Sequence, residues 1–283
     1  MFKTYYYLTK PGIIYGNTLT AAAGFFLASR GSIDLTILIS TLAGLAFIIA
    51  SACISNNLLD RNIDKKMERT KYRSLVTKSI SVPNAIIFAA SLLILGIVIL
   101  ISFTNLITLS IALLGFVFYV FVYGFAKRVS VHGTVVGSIS GAVPPVVGYC
   151  AITNHLDLPA LILFLILVLW QMPHFYAISI FRLKDYANAK IPILPIKTSI
   201  FVTKIYMLLY ILGFFILTIF LNKIVSLGYI YLFLITISGL AWIILSIVGF
   251  YTKDSRQWAR RMFFISLIVN LLFCFSVAFD STF

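Results

Sequence analysis

The chain has 283 residues, of which 61% are hydrophobic and only 11% are charged, and its mean hydropathy is +1.06. Soluble domains of this length carry far more charge, so the composition excludes a soluble globular protein. The three cysteines all fall within apolar segments, which argues against an extracellular disulfide framework. We therefore expect the lipid bilayer to be the solvent of this chain.

Long apolar runs divide the chain into candidate membrane spans. A bilayer core about 30 Å thick requires roughly 20 apolar residues in each helical crossing. The runs are continuous and do not alternate with polar residues, which indicates helices and not barrel strands. The nine predicted spans cover residues 11–29, 35–58, 84–102, 105–124, 133–152, 158–181, 200–221, 228–251 and 262–279. The sequence thus predicts an all-α polytopic membrane protein that forms a single domain over residues 1–283.

The basic residues give the expected orientation. A net charge of +14 is compatible with a nucleic-acid partner, but the charges are distributed by membrane side. If the N-terminus is cytoplasmic, all of the 22 lysines and arginines except Arg30 and Lys223 fall on the cytoplasmic side. The positive-inside rule then predicts an N-in, C-out protein with an odd number of spans, in agreement with nine. We expect no nucleic-acid partner.

An acidic stripe follows the second span, where Asn56, Asp60 and Asp64 occur at every fourth position. On a helix a step of four residues advances about 400°, so the three side chains share one face. Carboxylates at this spacing repel each other and are costly beside hydrocarbon, so they require a cation. Mg²⁺ is commonly held by one or two carboxylates together with substrate phosphates. The stripe therefore predicts a magnesium site with Asp60 and Asp64 as the catalytic carboxylates.

Basic residues near the acidic stripe are candidates for binding a diphosphate. Their cationic groups suit phosphate oxygens, and the arginines can bind them in a bidentate manner. The alternative is a solvated helix end whose acids pair with neighbouring bases, such as Asp64 with Lys65 or Glu68 with Arg69. The fourfold spacing at the end of a membrane span favours the metal-diphosphate site. The candidate diphosphate-binding residues are Lys65, Arg69, Arg73, Arg182 and Lys184.

At these residues the sequence resembles the UbiA-type intramembrane prenyltransferase family. The pattern Asn56-x-x-x-Asp60-x-x-x-Asp64 is similar to the first aspartate-rich motif of that family. The resemblance also argues that the first span is retained and not cleaved as a signal peptide, although it contains small residues at positions 21–23. Motifs similar to the family branch that farnesylates haem occupy residues 9–12, 67–70 with Arg73, 141–145, 170–175, 181–186 and 191–195.

The resemblance implies nine helices around a central cavity and a Mg²⁺-dependent reaction. The farnesyl group of farnesyl diphosphate would pass to a vinyl group of haem b, with addition of water, to give haem O. The wider family often has a second Asp-x-x-x-Asp motif, but here Asp185 is followed four residues later by Ala189. Asp185 therefore becomes a fourth candidate metal ligand, beside Asn56, Asp60 and Asp64, and the number of metal ions stays open.

The resemblance also implies where the protein works. The expected setting is the cytoplasmic membrane of a bacterium, because no leader rich in arginine and serine precedes the first span. The active site would face the cytoplasm. A contact with a haem A synthase or a terminal oxidase is left open by the sequence.

Of the three histidines, His174 is the candidate for binding haem. His155 falls on the predicted outer side and His132 in a basic cytoplasmic loop, so both are expected to be solvated. His174 follows Pro173 inside the sixth span, where the proline is expected to open the helix. An ionisable residue within the membrane is a functional candidate. The alternative is a core histidine that is bonded to a backbone carbonyl.

Two other functions and one packing question accompany this interpretation. A sister prenyltransferase for a quinone precursor or another aromatic lipid shares everything that follows from the acidic stripe. A transporter would show paired ionisable residues deep in several spans, and few are present. In the fifth span, Gly133, Gly137 and Gly141 either let another helix approach closely or clear space for a flat macrocycle.

Overall fold

The computed structural model describes residues 2–282, and all regular structure within that range is helical. The helices are α1 (Phe2–Leu8), α2 (Pro11–Ser29), α3 (Leu35–Asp64), α4 (Val82–Phe103), α5 (Leu106–Val117), a π-helical segment (Phe118–Tyr123), α6 (Gly124–Val129), α7 (Gly133–Gly141), α8 (Val143–Thr153), α9 (Leu158–Phe181), α10 (Leu183–Asn188), α11 (Leu194–Lys197), α12 (Ile200–Val225), α13 (Tyr229–Val248) and α14 (Ser255–Thr282).

The predicted polytopic all-α architecture is confirmed. Within residues 2–282, eight helical segments are long and apolar enough to cross a membrane: α3, α4, α5 with the π-helical segment and α6, α7 with α8, α9, α12, α13 and α14. Helix α2 is not among the eight, although its 19 residues pack against α3, α8 and α14 within the same bundle. The count of nine spans and the N-in, C-out orientation therefore stay predictions.

Two helix boundaries differ clearly from the prediction. Helix α3 ends at Asp64 and not at residue 58, and α14 begins at Ser255 and not at residue 262. Both predicted boundaries were set where charged residues interrupt the apolar run. Charge ends the hydrophobic contact with lipid but does not end the backbone hydrogen bonding, so both helices continue into the polar region. The extension of α3 places the whole acidic stripe on one helix.

Short polar side chains cap the starts of five long helices. In each case the capping side chain accepts a hydrogen bond from a backbone N–H in the first turn. These side chains satisfy donors that have no partner within the helix. The caps are Asp34 for α3, Ser81 for α4, Asn105 for α5, Asp157 for α9 and Ser199 for α12.

Glycines allow α2 and α8 to pack with their backbones in contact. A Cβ atom at Gly148 would overlap the carbonyl oxygen of Ala21, and one at Gly24 would overlap that of Pro145. In lipid, helices associate through such close packing because apolar side chains gain little by leaving the hydrocarbon. Added Cβ atoms at positions 133, 137 and 141 of α7 would also meet neighbouring atoms. The glycines of this span therefore serve helix approach and do not clear space for a macrocycle.

We expect Gly148→Ala to lower the melting temperature of the purified protein in detergent, because the new methyl group forces α8 away from Ala21. Gly16→Ala in α2 is the matched control, since a Cβ there meets no atom within 4 Å. That change should leave the melting temperature unchanged or raise it, since alanine is favoured over glycine in helices by roughly 0.5–1 kcal/mol. Equal effects of the two substitutions would contradict the packing role of Gly148.

Candidate active site

The acidic stripe is buried at the C-terminal end of α3. Asn56, Asp60 and Asp64 are 3%, 6% and 4% exposed, and all three lie on the one helix. We call the side of the bundle at which they lie the acidic face. Buried carboxylates are unfavourable unless they are paired and hydrogen-bonded. The structure supplies a cationic partner to each member of the stripe.

Asp60 is paired with two cations from α6. The Lys127 ammonium contacts one carboxylate oxygen, and the Arg128 guanidinium donates to the other at 3.1 Å. Arg128 also donates to the carbonyl oxygen of Leu59 at 2.9 Å. The Lys127 nitrogen lies 5.0 Å from the centre of the Tyr123 ring, within the range of a cation–π interaction. From the sequence, Lys127 and Arg128 were assigned only to a basic loop. The structure brings both into the candidate site.

Asp64 is paired with Arg73 from the loop that follows α3. The Nη1 atom of Arg73 lies 3.0 and 2.8 Å from the two carboxylate oxygens of Asp64 and donates to the Asn57 side chain at 3.1 Å. The Thr70 hydroxyl donates to the Asp64 carbonyl oxygen at 3.0 Å. These contacts fold the loop back over the end of α3. The expected alternatives are not observed, since Asp64 does not pair with Lys65 and the neighbouring Glu68 pairs with Lys71.

Asn56 contacts a lysine from the start of α2. The Lys10 ammonium donates to the Asn56 side-chain oxygen at 2.9 Å. Lys10 adopts a left-handed backbone conformation directly before α2, and burial lowers the pKa of its ammonium to about 8. The Nδ2 group of Asn56 is buried and has no hydrogen-bond partner among residues 2–282. Asn56 therefore has an unused N–H donor that suits an anionic oxygen.

Asp185 joins the second long loop to the first. It is 7% exposed, and one of its oxygens accepts a hydrogen bond from the Glu68 backbone N–H at 3.2 Å. The next residue, Tyr186, is partly buried, and burial raises the pKa of its phenol. The loops after α3 and after α9 thus meet at the acidic face. The structure therefore brings Asp185, the fourth candidate metal ligand, into contact with the loop that follows the acidic stripe.

The predicted diphosphate-binding residues fall into two groups. Arg73 alone contacts the acidic stripe, whereas Lys65, Arg69, Arg182 and Lys184 are exposed on the loops around it. Arg69 is close enough to Tyr186 to interact with it electrostatically. The sequence did not single out the three other cations that contact the stripe, which are Lys10, Lys127 and Arg128.

The donor set fits magnesium bound together with a substrate. Among residues 2–282, no three His, Cys, Asp or Glu side chains converge on a position that could hold a metal ion. The carboxylates of Asp60 and Asp64 are nevertheless the hard oxygen donors that Mg²⁺ prefers. Two carboxylates are enough when phosphate oxygens and water complete the coordination. The residues therefore suit a metal that arrives with a diphosphate, and they do not form a protein cage for a free ion.

His174 lies between α9 and α14. Its Nδ1 atom is 2.8 Å from the Ser266 hydroxyl oxygen, and that hydroxyl donates to the carbonyl oxygen of Phe263. Because the only hydroxyl proton of Ser266 is already used, Nδ1 must carry the proton that joins the two side chains. The Nε2 atom is then an unprotonated acceptor. In the described part of the chain it makes no hydrogen bond.

Aromatic rings surround His174. The Trp170 ring stacks on it at a centroid distance of 5.0 Å, and the Phe263 ring lies at 4.8 Å. The bond to a serine hydroxyl differs from the expected alternative of a bond to a backbone carbonyl. Helix α9 also continues through Pro173 without a break, so the expected opening of the helix at this proline is wrong. His132 and His155 are exposed, as expected.

A sequence model of the UbiA prenyltransferase family matches residues 17–268. The chain belongs to this family. A protoheme IX farnesyltransferase of Protochlamydia amoebophila is 48% identical over 280 residues, which cover 99% of this chain and 99% of the relative. A protoheme IX farnesyltransferase of Acinetobacter baylyi is 47% identical over 283 residues, which cover 99% of this chain and 96% of the relative.

Solved structures of the family share the fold. A structure of digeranylgeranylglyceryl phosphate synthase superposes with a TM-score of 0.81 at 21% identity, covering 99% of this chain and 98% of that one. A UbiA homologue from Archaeoglobus fulgidus bound to GPP and Mg²⁺ gives a TM-score of 0.69 at 16% identity, covering 97% and 99%. At these identities the likeness establishes the fold of the family and nothing finer.

We expect Arg73→Gln to destabilise the protein, because it leaves the buried Asp64 carboxylate without its cation. The expected loss is about 3 kcal/mol, at the low end for breaking a buried pair since Arg73 is partly exposed. The double variant Arg73→Gln/Asp64→Asn should recover much of this loss. Lys71→Gln is the control, because its pair with Glu68 is more exposed and solvent weakens the interaction.

Thermal unfolding in detergent compares these three variants with the wild type. A melting temperature for Arg73→Gln equal to that for Lys71→Gln would show that the buried pair does not stabilise the fold.

Proposed function

We propose that this protein transfers the farnesyl group of farnesyl diphosphate to a vinyl group of haem b, with addition of water, and releases haem O and diphosphate. The observation that carries the proposal is the buried acidic stripe, which cations from three parts of the chain surround at one end of a membrane bundle. The protoheme IX farnesyltransferases that are 47–48% identical over nearly the whole chain support haem as the acceptor.

Asp60 and Asp64 are the proposed metal ligands, with Asn56 and Asp185 as further oxygen donors. When bound, Mg²⁺ would supply Lewis-acid stabilisation of the leaving diphosphate. The Archaeoglobus fulgidus homologue with GPP and Mg²⁺ supports this cofactor. The fourfold spacing on α3 holds the two carboxylates of the stripe about one helical turn apart, so both can face the same anion.

The cations of the site have donors left for a diphosphate. An arginine has five N–H donors, and Arg73 uses only its Nη1 atom for its three contacts. Arg128 likewise uses only one of its terminal nitrogens. Their remaining N–H groups, together with the Lys127 ammonium and the free Asn56 Nδ2 group, can bind phosphate oxygens. The site is thus organised for an anion before the substrate arrives.

The exposed bases around the stripe have a different proposed role. Lys65, Arg69, Arg182 and Lys184 lie on the two loops that meet at the acidic face. Exposed positive charge at the entrance of a site raises the local concentration of an anionic substrate and speeds its association. We assign these four residues to capturing the diphosphate, and Arg73 to holding it during the reaction.

The chemistry needs stabilised charge and no protein nucleophile. The allylic C–O bond breaks with its electron pair leaving on the diphosphate, and Arg73, Arg128 and Lys127 stabilise that charge. The vinyl group then bonds to the farnesyl carbon, and water adds to the resulting cation with loss of a proton. Tyr119 and Tyr123 stack on each other at a centroid distance of 5.7 Å in the π-helical segment. Aromatic ring faces of this kind suit the developing allylic cation.

His174 is the proposed contact to haem. Its Nδ1–H group is fixed by Ser266, which leaves the Nε2 lone pair free to bind iron. The Trp170 and Phe263 rings flank the imidazole and make its surroundings apolar. We also place the protein in the cytoplasmic membrane of a bacterium with the acidic face toward the cytoplasm. The positive-inside rule and the bacterial relatives support this placement.

We expect the purified protein in detergent, supplied with haem b, farnesyl diphosphate and Mg²⁺, to form a farnesylhydroxyethyl haem that mass spectrometry detects. Asp60→Asn and Asp64→Asn should each lower the rate at least about a hundredfold, as expected for loss of a group that stabilises the transition state. Asp34→Asn is the matched control, because Asp34 only caps the opposite end of α3 and asparagine also caps helices.

Full activity of the Asp60→Asn and Asp64→Asn variants would refute the role of the stripe. Prenylation of an aromatic lipid acceptor in place of haem would move the assignment to a sister prenyltransferase.

We expect His174→Asn to weaken haem binding about tenfold or more, equivalent to about 1.4 kcal/mol, and to shift the Soret band in a haem titration. Binding of farnesyl diphosphate should not change, because His174 contacts α14 and not the acidic stripe. His132→Asn is the control, since His132 is an exposed histidine that should not affect the titration. An unchanged Soret band and haem affinity in His174→Asn would exclude ligation by this residue.

A further inference from the structure

An apolar groove runs along the bundle between α5 and α9, on the side of the membrane opposite the acidic face. It has a volume of about 690 Å³, which falls within the roughly 300–1,000 Å³ typical of ligand pockets. Almost all of its walls are hydrocarbon. The lining side chains include Ile111, Leu114, Phe118, Val146, Leu161 and Phe164.

The packing of α8 explains why this groove exists. Backbone contacts at Gly148 and Gly24 draw α8 against α2. Helices α5 and α9 both pack on α8, but they make at most marginal contact with each other. The space between them is therefore open toward the hydrocarbon of the bilayer, where only an apolar chain would fill it favourably.

A polar cluster closes the outer end of the groove. Asp157 lines it, and His155 lines an adjoining cavity of about 410 Å³ that shares Ile111, Leu114 and Leu156 with the groove. One Asp157 oxygen accepts a hydrogen bond from the Tyr149 hydroxyl at 2.8 Å and lies 3.2 Å from the His155 Nε2 atom. The other Asp157 oxygen caps α9.

The hydrogen bond that His155 makes through Nδ1 leaves its Nε2 atom able to accept a hydrogen bond from a bound ligand. Its Nδ1 atom lies 2.6 Å from the carbonyl oxygen of Thr153, so Nδ1 carries the proton. In the neutral imidazole, Nε2 is then an acceptor that faces the Asp157 carboxylate, which is also an acceptor. A primary ammonium has three N–H donors and can satisfy both. The Asp157 side chain is 29% exposed, so such a group can reach it.

A positive charge lies beside this cluster. Arg30, at the end of α2, is exposed and is close enough to Tyr149 to interact with it electrostatically. The outer end of the groove therefore offers a carboxylate for a cation above a channel for hydrocarbon, and the Arg30 guanidinium lies near it for an anion. A phospholipid with an ethanolamine headgroup carries all three complementary groups.

We propose that the groove between α5 and α9 binds a phosphatidylethanolamine molecule in the leaflet opposite the acidic face. One acyl chain occupies the groove, the primary ammonium donates to Asp157 and His155, and the phosphate binds Arg30. Phosphatidylcholine has no N–H donor on its quaternary ammonium and cannot satisfy the facing acceptors. Phosphatidylglycerol has no cation for Asp157. The site therefore distinguishes headgroups by hydrogen bonding as well as by charge.

Native mass spectrometry of the purified, delipidated protein tests this proposal with the three lipids added separately. We expect one phosphatidylethanolamine adduct that survives activation in severalfold greater amount than the phosphatidylcholine or phosphatidylglycerol adduct. Asp157→Asn should lower the phosphatidylethanolamine adduct to the level of phosphatidylcholine, while asparagine keeps the cap of α9. Equal retention of the three lipids, or preferred retention of phosphatidylglycerol, would overturn the proposal.

A second variant tests the groove itself. Leu114→Trp should fill the channel and abolish the adduct, since Leu114 lines the groove and is 58% exposed. Leu209→Trp on α12 is the matched control, because Leu209 is also 58% exposed and does not line the groove. The melting temperatures of both variants confirm that each is folded. An adduct that persists in Leu114→Trp at the wild-type level would refute the groove as the site.

Discussion

Two carboxylates are buried at the end of α3, and each is neutralised by a cation that a different part of the chain provides. Asp60 is held by Lys127 and Arg128 from α6, and Asp64 is held by Arg73 from the following loop. A buried carboxylate without a partner is strongly unfavourable, so these contacts fix where α6 and the loop must lie. The stripe is therefore a constraint on the fold as well as the centre of the proposed chemistry.

Away from the acidic stripe, the helix ends and the contacts between helices reflect the lipid surroundings of the bundle. Backbone groups at helix ends cannot rely on water, and short polar residues cap five of the long helices. Association between helices depends on close approach, which Gly24 and Gly148 provide between α2 and α8. Helices α5 and α9 pack on α8, and the apolar groove lies between them. The close approach at Gly24 and Gly148 thus joins α2 to α8 in the interior of the bundle.

The acidic face and the interior of the bundle around His174 have different chemistry. At the acidic face, charges are concentrated and paired, and the guanidinium groups keep donors for a diphosphate. Near the middle of α9 the polar groups are few, and His174 is held in one tautomer by Ser266. This separation suits a reaction with an anionic leaving group at the membrane surface and an apolar acceptor deeper in the bilayer. Its steps depend on placed charge and not on a nucleophilic side chain.

The sequence alone determined the all-α membrane architecture. In a bilayer, a long apolar run must satisfy its own backbone hydrogen bonds, and a helix does so within one segment. It also determined that Asn56, Asp60 and Asp64 share a face, since their relation depends only on the helical repeat of α3. The boundary at Ser255 was missed because hydropathy does not report where backbone hydrogen bonding begins. Local rules were sufficient wherever the relevant residues belong to one helix.

Only the tertiary structure decided which cations meet the stripe. Lys10, Lys127 and Arg128 are separated from it by 46–68 residues, while the adjacent Lys65 is exposed and unpaired with Asp64. It also decided that His174 bonds Ser266, 92 residues away, and that α9 continues through Pro173. These partners are set by how helices pack and loops fold back. That packing depends on contacts between distant segments, which no local pattern encodes.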